Sequence, residues 1–246
     1  MHYLNNPQTS IITAEDPVEY VIEGVGQCSI NTKINVTFED TLKHMMRQDP
    51  DVLVIGEIRD QFSAETAIQA ALTGHKVLTT FHTEDSIGGL LRLLNMNIEA
   101  FLISSTVVSV VAQRLLRRLC PHCAEDYPLT TQQLRQLGYE ARDAAALIFK
   151  KGRGCSRCHH SGYAGRIPVF ELLVLNEIVK DAIIARKTSY EIRRLSIDST
   201  GLVTLLEDAI FKATRGLTTC EEIIKHVPRL SKPRHIGVLR KLLGES

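Results

Sequence analysis

The chain carries almost no net charge: 29 Lys and Arg against 28 Asp and Glu leave +1 over 246 residues. This excludes the general electropositive field by which proteins gather nucleic acid. Its opening, Met1-His2-Tyr3-Leu4-Asn5-Asn6-Pro7, has neither a basic start nor an apolar run, so it does not read as a secretory leader. No apolar stretch is long enough to cross a bilayer. The most apolar, Phe101 to Ala112, is short and carries three serines and a threonine. A soluble, cytoplasmic chain is therefore expected, in which six cysteines would serve as metal ligands or free thiols rather than disulfides. No internal repeat is visible. Also missing is any G-x-x-x-x-G-K-[ST] string, the loop whose N–H groups cradle phosphates; Gly24, Gly26, Gly74 and Gly152 fail the spacing or lack the Lys.

What is present is enough apolar material, 44% of residues, for one large domain or two to three small ones. Residues 10–14, 18–22 and 28–36 read as short strands interrupted by Gly24 and Gly26. Thr37-x-x-Asp40 resembles a capping box opening a helix that Pro50 ends. Val52-Leu53-Val54-Ile55 suits a parallel strand buried on both faces. Next come a helix over 63–72 closed by Gly74, a buried strand over 77–81, a helix over 86–94 and a long helix over 98–119. This alternation signals an α/β layer fold. Arg114, Arg117 and Arg118 would then complement a helix C-terminus, and nucleic acid is not expected as a partner. From Glu171 the pattern is helical, over 176–185, 189–195, 202–214 and 219–227, before a basic tail expected to be loosely held.

Two constellations carry chemistry. A buried strand that runs into Gly56 and Glu57 places a carboxylate where ligands bind in open α/β sheets. There Glu57 could orient water or help hold Mg²⁺ beside a phosphate; it could equally begin a solvated charge cluster. Cys120-Pro121-His122-Cys123 and Cys155-Ser156-Arg157-Cys158 are two C-x-x-C turns that could close a tetrahedral zinc site. His122, His159 and His160 could compete as ligands, and two redox pairs or four unrelated thiols are the alternative. A closed Cys₄ site leaves no open position, so such a metal would stabilise the fold rather than catalyse. Cys28 and Cys220 stand outside this set as small buried or half-buried side chains.

The segment from Met46 through Arg47, Pro50-Asp51 and Gly56-Glu57-Ile58-Arg59-Asp60 resembles the Walker B signature of the type II secretion and type IV pilus assembly ATPases. Ile11 to Tyr20 resembles the aspartate box of that family, and Thr73 to Thr83 its histidine box. Gly162-Tyr163-x-Gly165-Arg166 and Glu171 resemble the stretch after its second Cys pair. The resemblance implies an α/β chain with a truncated RecA-like P-loop NTPase core, a tetracysteine zinc module and a small helical C-terminal domain. The expected segments are residues 1–118, 119–170 and 171–246.

It further implies that Glu57 and Glu15 form the acidic catalytic pair and that His82 contacts the γ-phosphate. Asp16, Glu19, Asp51 and Arg59 would support nucleotide or Mg²⁺. The implied cofactors are ATP with Mg²⁺ and structural Zn²⁺ at Cys120, Cys123, Cys155 and Cys158. The implied partners are further copies in a homo-hexamer and an inner-membrane platform protein, at the cytoplasmic face of that membrane. Family members bearing the zinc module serve assembly or secretion rather than retraction. The family's P-loop would lie just upstream of the aspartate box, so the chain is expected to be marginally folded and inactive alone. The alternative is a non-catalytic, zinc-containing assembly or regulatory partner. Asn35, Phe81 and Glu84 depart from the Gly, Leu and Asn expected at their positions and mark a divergent member.

Overall fold

The structure is a computed structural model that describes residues 1–140, 142–143 and 147–244. Along the chain run β1 (Ile11–Glu15), β2 (Gly26–Ser29), α1 (Phe38–Met45), β3 (Val52–Ile55), α2 (Gln61–Leu72), β4 (Lys76–Thr79), α3 (Ser86–Asn95) and α4 (Ala100–Thr106). Then come β5 (Ser109–Leu119), β6 (Ala124–Tyr127), α5 (Thr131–Leu137), β7 (Phe149–Gly152) and β8 (Tyr163–Val174). The last helices are α6 (Glu177–Ile184), α7 (Ser189–Thr200), α8 (Leu205–Thr214), α9 (Cys220–His226) and α10 (Ile236–Leu242). The chain forms two compact units, one of residues 1–83, 88–108 and 177–192, the other of residues 84–87, 109–176 and 193–246.

The first unit is built on a parallel sheet of order β2-β1-β3-β4. Ile11, Thr13 and Ala14 of β1 and Val52, Leu53 and Ile55 of β3 are buried, as the continuous apolar run requires of a central parallel strand. Thr37 caps α1 by accepting from the Asp40 N–H at 3.1 Å, and Asp60 caps α2 with Ser63 in a reciprocal box. α1 packs on β1 and α2, and α4 packs on α2 and α6. Three expectations change here. Residues 18–22 form no strand, and only Gly26–Ser29 of the next segment pairs before a 3₁₀ turn at Thr32–Ile34. β4 ends the sheet order and is largely exposed rather than buried.

In the second unit β5 and β8 pair antiparallel over nearly their whole length, from Ser109↔Val174 to Leu119↔Tyr163. The long helix expected over 98–119 is therefore a short helix followed by a strand. The boundaries expected at 118/119 and 170/171 both fall inside this ribbon. The arginines sit on a strand and not at a helix end. Arg117 donates to Glu222 through its backbone N–H (2.9 Å) and Nε (2.8 Å) and lies 3.9 Å over the Tyr163 ring. Arg114 donates to the Glu84 carbonyl at 3.0 Å. Ala112, Leu116 and Val169 of the ribbon meet Leu205, Ala209 and Ile210 of α8, Ile223 of α9 and Phe149 of β7 in one core. The polar insert carries a helix of its own, α5, whose Leu134 and Leu137 enter that core.

The tail is fastened rather than loose. Glu207 caps α8, receiving the Thr204 N–H at 3.0 Å, and also receives the backbone N–H and Nε of Arg234 at 2.9 Å and its Nη2 at 2.7 Å. Tyr139 Oη donates to the Arg234 carbonyl at 2.8 Å. Burial pulls the Glu207 carboxyl upward, but the Arg234 side chain and the Thr204 and Arg234 N–H groups outweigh it and hold its pKa below the ordinary range. A depressed folded pKa adds stability that is complete above the unfolded value of about 4.3 and is lost as pH falls through the folded one. Glu207→Gln is expected to cost about 2 kcal/mol at neutral pH. Melting temperatures across pH check this: the gap to the parent should be constant above about pH 5 and should narrow only in acid.

Candidate functional site

At the carboxyl ends of β1 and β3 the first unit gathers charge. Gly56 lies just past β3 and donates to the Ala14 carbonyl at 2.8 Å. A Cβ there would come within 2.9 Å of that oxygen, so only glycine lets the backbones approach so closely. Glu57 comes next, with its side chain 22% exposed. Arg59 joins two carboxylates: Nη2 donates to Glu57, and Nη1 donates to Asp16 at 3.1 Å. His82 Nε2 stands 3.3 Å from the other Glu57 oxygen and is 86% exposed. It is brought there by the chain just past β4, where the Ile58 N–H donates to the Thr80 carbonyl (3.1 Å) and Thr80 Oγ1 to the Gly56 carbonyl (2.7 Å). Glu15 ends β1, its Oε1 receiving Thr13 Oγ1 (2.6 Å) and Gln27 Nε2 (2.9 Å).

The Arg59 hydrogen bond, aided by its charge and by His82, holds the Glu57 carboxyl below its usual range. In this geometry Glu57 is a fixed negative charge that orients a water or a cation better than it takes a proton. Glu15, Asp16, Glu57, Arg59 and His82 thus lie at one end of the sheet. Two expected members do not join them. Asp51 precedes β3 and receives the Ser10 N–H at 2.7 Å. Six residues of extended chain put it roughly 20 Å from Glu57, so it organises the opposite end of the sheet. Glu19 is exposed, and among the described residues no ion pair or hydrogen bond ties it to the cluster. Sequence reasoning missed Thr13, Gln27 and Thr80, which position the charged groups. Thr13 alternates inward beside Ile11, a signal that was there to read; nothing local marks Gln27.

In the second unit Cys120, Cys123, Cys155 and Cys158 place their sulfurs within 4.8 Å of one another. The pairs 120–155, 123–158 and 155–158 stand 4.0, 3.9 and 3.8 Å apart. Bonds of about 2.3 Å from a tetrahedral zinc put its sulfurs roughly 3.8 Å apart, so the four thiols fit that ion. They are too far apart for disulfides, whose sulfurs lie about 2.05 Å apart. Two backbone hydrogen bonds hold the knuckles together, Cys120 N–H to the Gly162 carbonyl (3.0 Å) and Arg153 N–H to the Cys123 carbonyl (2.9 Å). Gly152 lies so close to Gly162 that a Cβ would fall 2.4 Å from its oxygen.

The Cys155 N–H and, against the pull of burial, the Gly162 N–H draw the Cys158 thiol down to about 6. Burial pushes Cys123 up to about 12. The competing histidines do not enter: His122 contacts Arg157 at 3.0 Å, and His159 and His160 are exposed. Cys28 is half-buried and Cys220 buried, away from this set.

Residues 1–225 match the family described as type II/IV secretion system protein. The type II secretion system protein E of Dickeya dadantii is 42% identical over 222 residues, which cover 90% of this chain and 43% of that protein. The type IV pilus assembly ATPase PilB of Thermus thermophilus is 41% identical over 218 residues, 89% of this chain and 24% of that protein. The chain thus spans less than half the length of these curated relatives. Among solved structures, the pilus retraction motor PilT with bound ADP superimposes with a TM-score of 0.66 at 24% identity over 93% of this chain and 56% of that one. The Legionella pneumophila ATPase DotB does so at 0.61 and 20% identity, over 91% and 53%. At such identities the likeness shows a shared α/β fold.

Proposed function

The chain belongs to the type II/IV secretion system protein family, and from that premise we propose that it is an ATP-hydrolysing motor subunit, or part of one, serving type II protein secretion or type IV pilus assembly. The observation that carries this is the convergence of Glu57, Arg59, Asp16 and His82 at the carboxyl ends of neighbouring parallel strands, the position open α/β sheets use for nucleotides. Glu57 orients the attacking water, Glu15 is its acidic partner, and His82, exposed at its tip, reaches the γ-phosphate. Arg59 and Asp16 fix Glu57, and Glu19 lies beside them in sequence. Mg²⁺, where bound with ATP, neutralises the charge developing on the transferred phosphoryl group. A divalent ion of that kind takes one or two carboxylates and completes its shell from phosphates and water, which the acidic cluster suits. Zn²⁺ is structural, held by Cys120, Cys123, Cys155 and Cys158. The working form is a homo-hexamer at the cytoplasmic face of the inner membrane, docked on a platform protein.

The 246 residues contain no G-x-x-x-x-G-K-[ST], so this chain alone is expected to turn over no ATP. The test is phosphate release by the purified chain. Release at a steady rate that Glu57→Gln abolishes would show that the chain needs no such loop. A second reading is a non-catalytic zinc-containing partner of the assembly. Mixing the chain with a loop-bearing relative separates the two: co-assembly without added turnover supports the second.

A further inference from the structure

The family match stops at residue 225, and the last stretch of the chain has its own character. Residues 223–244 hold six Lys and Arg, two His and no Asp or Glu, in a chain whose other residues carry more Asp and Glu than Lys and Arg. Because Arg234 is fastened to Glu207 and Pro233 lies against Gly138, these charges are displayed on a fixed framework. Two open clefts of the second unit share Arg229. One, of about 440 Å³, is also lined by Arg135, Leu230 and Lys232; the other, of about 530 Å³, by Ile224 and Lys225. Together the clefts carry five Lys and Arg side chains against two carboxylates, Glu84 and Glu140, and Glu140 already lies 3.9 Å from Lys232 and 3.1 Å from Arg142.

We propose that this surface binds the anionic headgroups of a lipid bilayer directly. Charge supplies the attraction, and the aliphatic content decides among anionic partners. Leu230, Val238 and Leu242 are 44, 46 and 46% exposed, and Ile224 36%, interleaved with the cations in sequence. In α10, Val238, Lys241 and Leu242 fall three and four residues apart on one stripe. A basic surface with exposed aliphatics suits the boundary between headgroups and acyl chains. The segment contains no Phe, Tyr or Trp, the side chains on which nucleic-acid bases stack. No helix among the described residues is long and apolar enough to cross a membrane, so the contact is peripheral. It adds to the function proposed above a foothold on the membrane that needs no protein partner, and does not depend on ATP hydrolysis.

The test is flotation of the full 246-residue chain with vesicles, which separates bound protein from aggregates that sink. Binding is expected with phosphatidylglycerol-containing vesicles, not with pure phosphatidylcholine, and should weaken steeply as salt rises. Neutralising three exposed cations together (Arg135→Gln, Lys225→Gln, Lys232→Gln) is expected to lower the partition coefficient on the order of 100-fold, from the usual contribution per basic residue at an anionic surface. Neutralising Lys33, Arg186 and Lys187 of the first unit should leave it unchanged, and circular dichroism confirms that both variants fold. Equal flotation with neutral vesicles, no flotation, or equal loss in both variants would overturn the proposal. So would release by inorganic phosphate at millimolar concentration, which would make the site one for a free anion. Retention of a single-stranded oligonucleotide that the tail variant loses, without flotation, would reassign the surface to nucleic acid.

Discussion

Chelating the zinc proposed for the four-thiol site, or Cys123→Ser, is expected to unravel the two knuckles and much of the second unit with them. The four sulfurs form a cluster of their own: Cys120, Cys123 and Cys158 are buried against one another and Cys155, and among the described residues no aliphatic side chain joins them. Among the described residues no aliphatic side chain of this cluster is therefore left to hold residues 120–123 against 155–158 without the proposed ion. The backbone hydrogen bonds from Cys120 and Arg153 are too few to close the gap, since each contributes only about 1 kcal/mol net. Structural zinc sites contribute roughly 10–16 kcal/mol in small peptides, comparable to the entire stability of an ordinary domain. Part of that should survive here, because Phe149 at the end of β7 is anchored in the main core. A loss of several kcal/mol remains expected, with amide exchange accelerating first in residues 119–127 and 149–163.

Metal analysis of the purified chain, together with exchange before and after chelator, measures it. Zinc in equal amount to protein and early loss of protection at the knuckles would establish the structural role. A metal-free chain in which Cys123→Ser costs no more than about 1 kcal/mol, an ordinary loss for a small buried side chain, would leave the cysteines as plain packing. Mass loss of two hydrogens per pair under air would make them redox pairs instead.

That site was legible because its signal is local: a C-x-x-C turn brings two sulfurs together whatever the rest of the chain does. The carboxylate cluster was half legible. Val52 to Ile55 announces a buried parallel strand, and the residues just past the end of such a strand face the ligand edge. The same logic, applied to Asp51 just before the strand, should have placed it at the far end, where it holds Ser10. The failure at residues 98–119 has another cause. Val107, Val108, Val110 and Val111 are β-branched and favour a strand, and Ala112 and Leu116 turn inward at even spacing. Yet the partner strand, β8, lies about fifty residues on and pairs only through tertiary folding. Long-range pairing also hid the end of the chain. A run of Lys and Arg looks solvated until Glu207, more than twenty residues earlier, turns out to hold Arg234.

Arg193→Ala is expected to be the most damaging single change outside the thiol site. Arg193, Asp85 and Glu171 are all buried in the second unit. Arg193 Nη2 pairs with Asp85, and Nη1 stands 3.8 Å from Glu171. Glu171 also receives the Ser86 N–H at 3.0 Å, the Ser86 hydroxyl and the Leu205 N–H at 3.2 Å, joining the start of α3 and the start of α8 to β8. Arg193 is therefore a buried cation set between two carboxylates that water does not reach. Deleting it should cost about 3–5 kcal/mol, most of it from leaving buried charge uncompensated rather than from the lost attraction. If that account is right, neutralising a carboxylate in the same chain should recover part of the loss: Arg193→Ala with Asp85→Asn should be more stable than Arg193→Ala alone, although Asp85→Asn by itself destabilises. A double-mutant cycle by chemical denaturation reads the coupling. Simple additivity of the two losses would mean that Arg193 acts only by filling space, and the balance of charge around Glu171 would then have to come from the Ser86 and Leu205 donors alone.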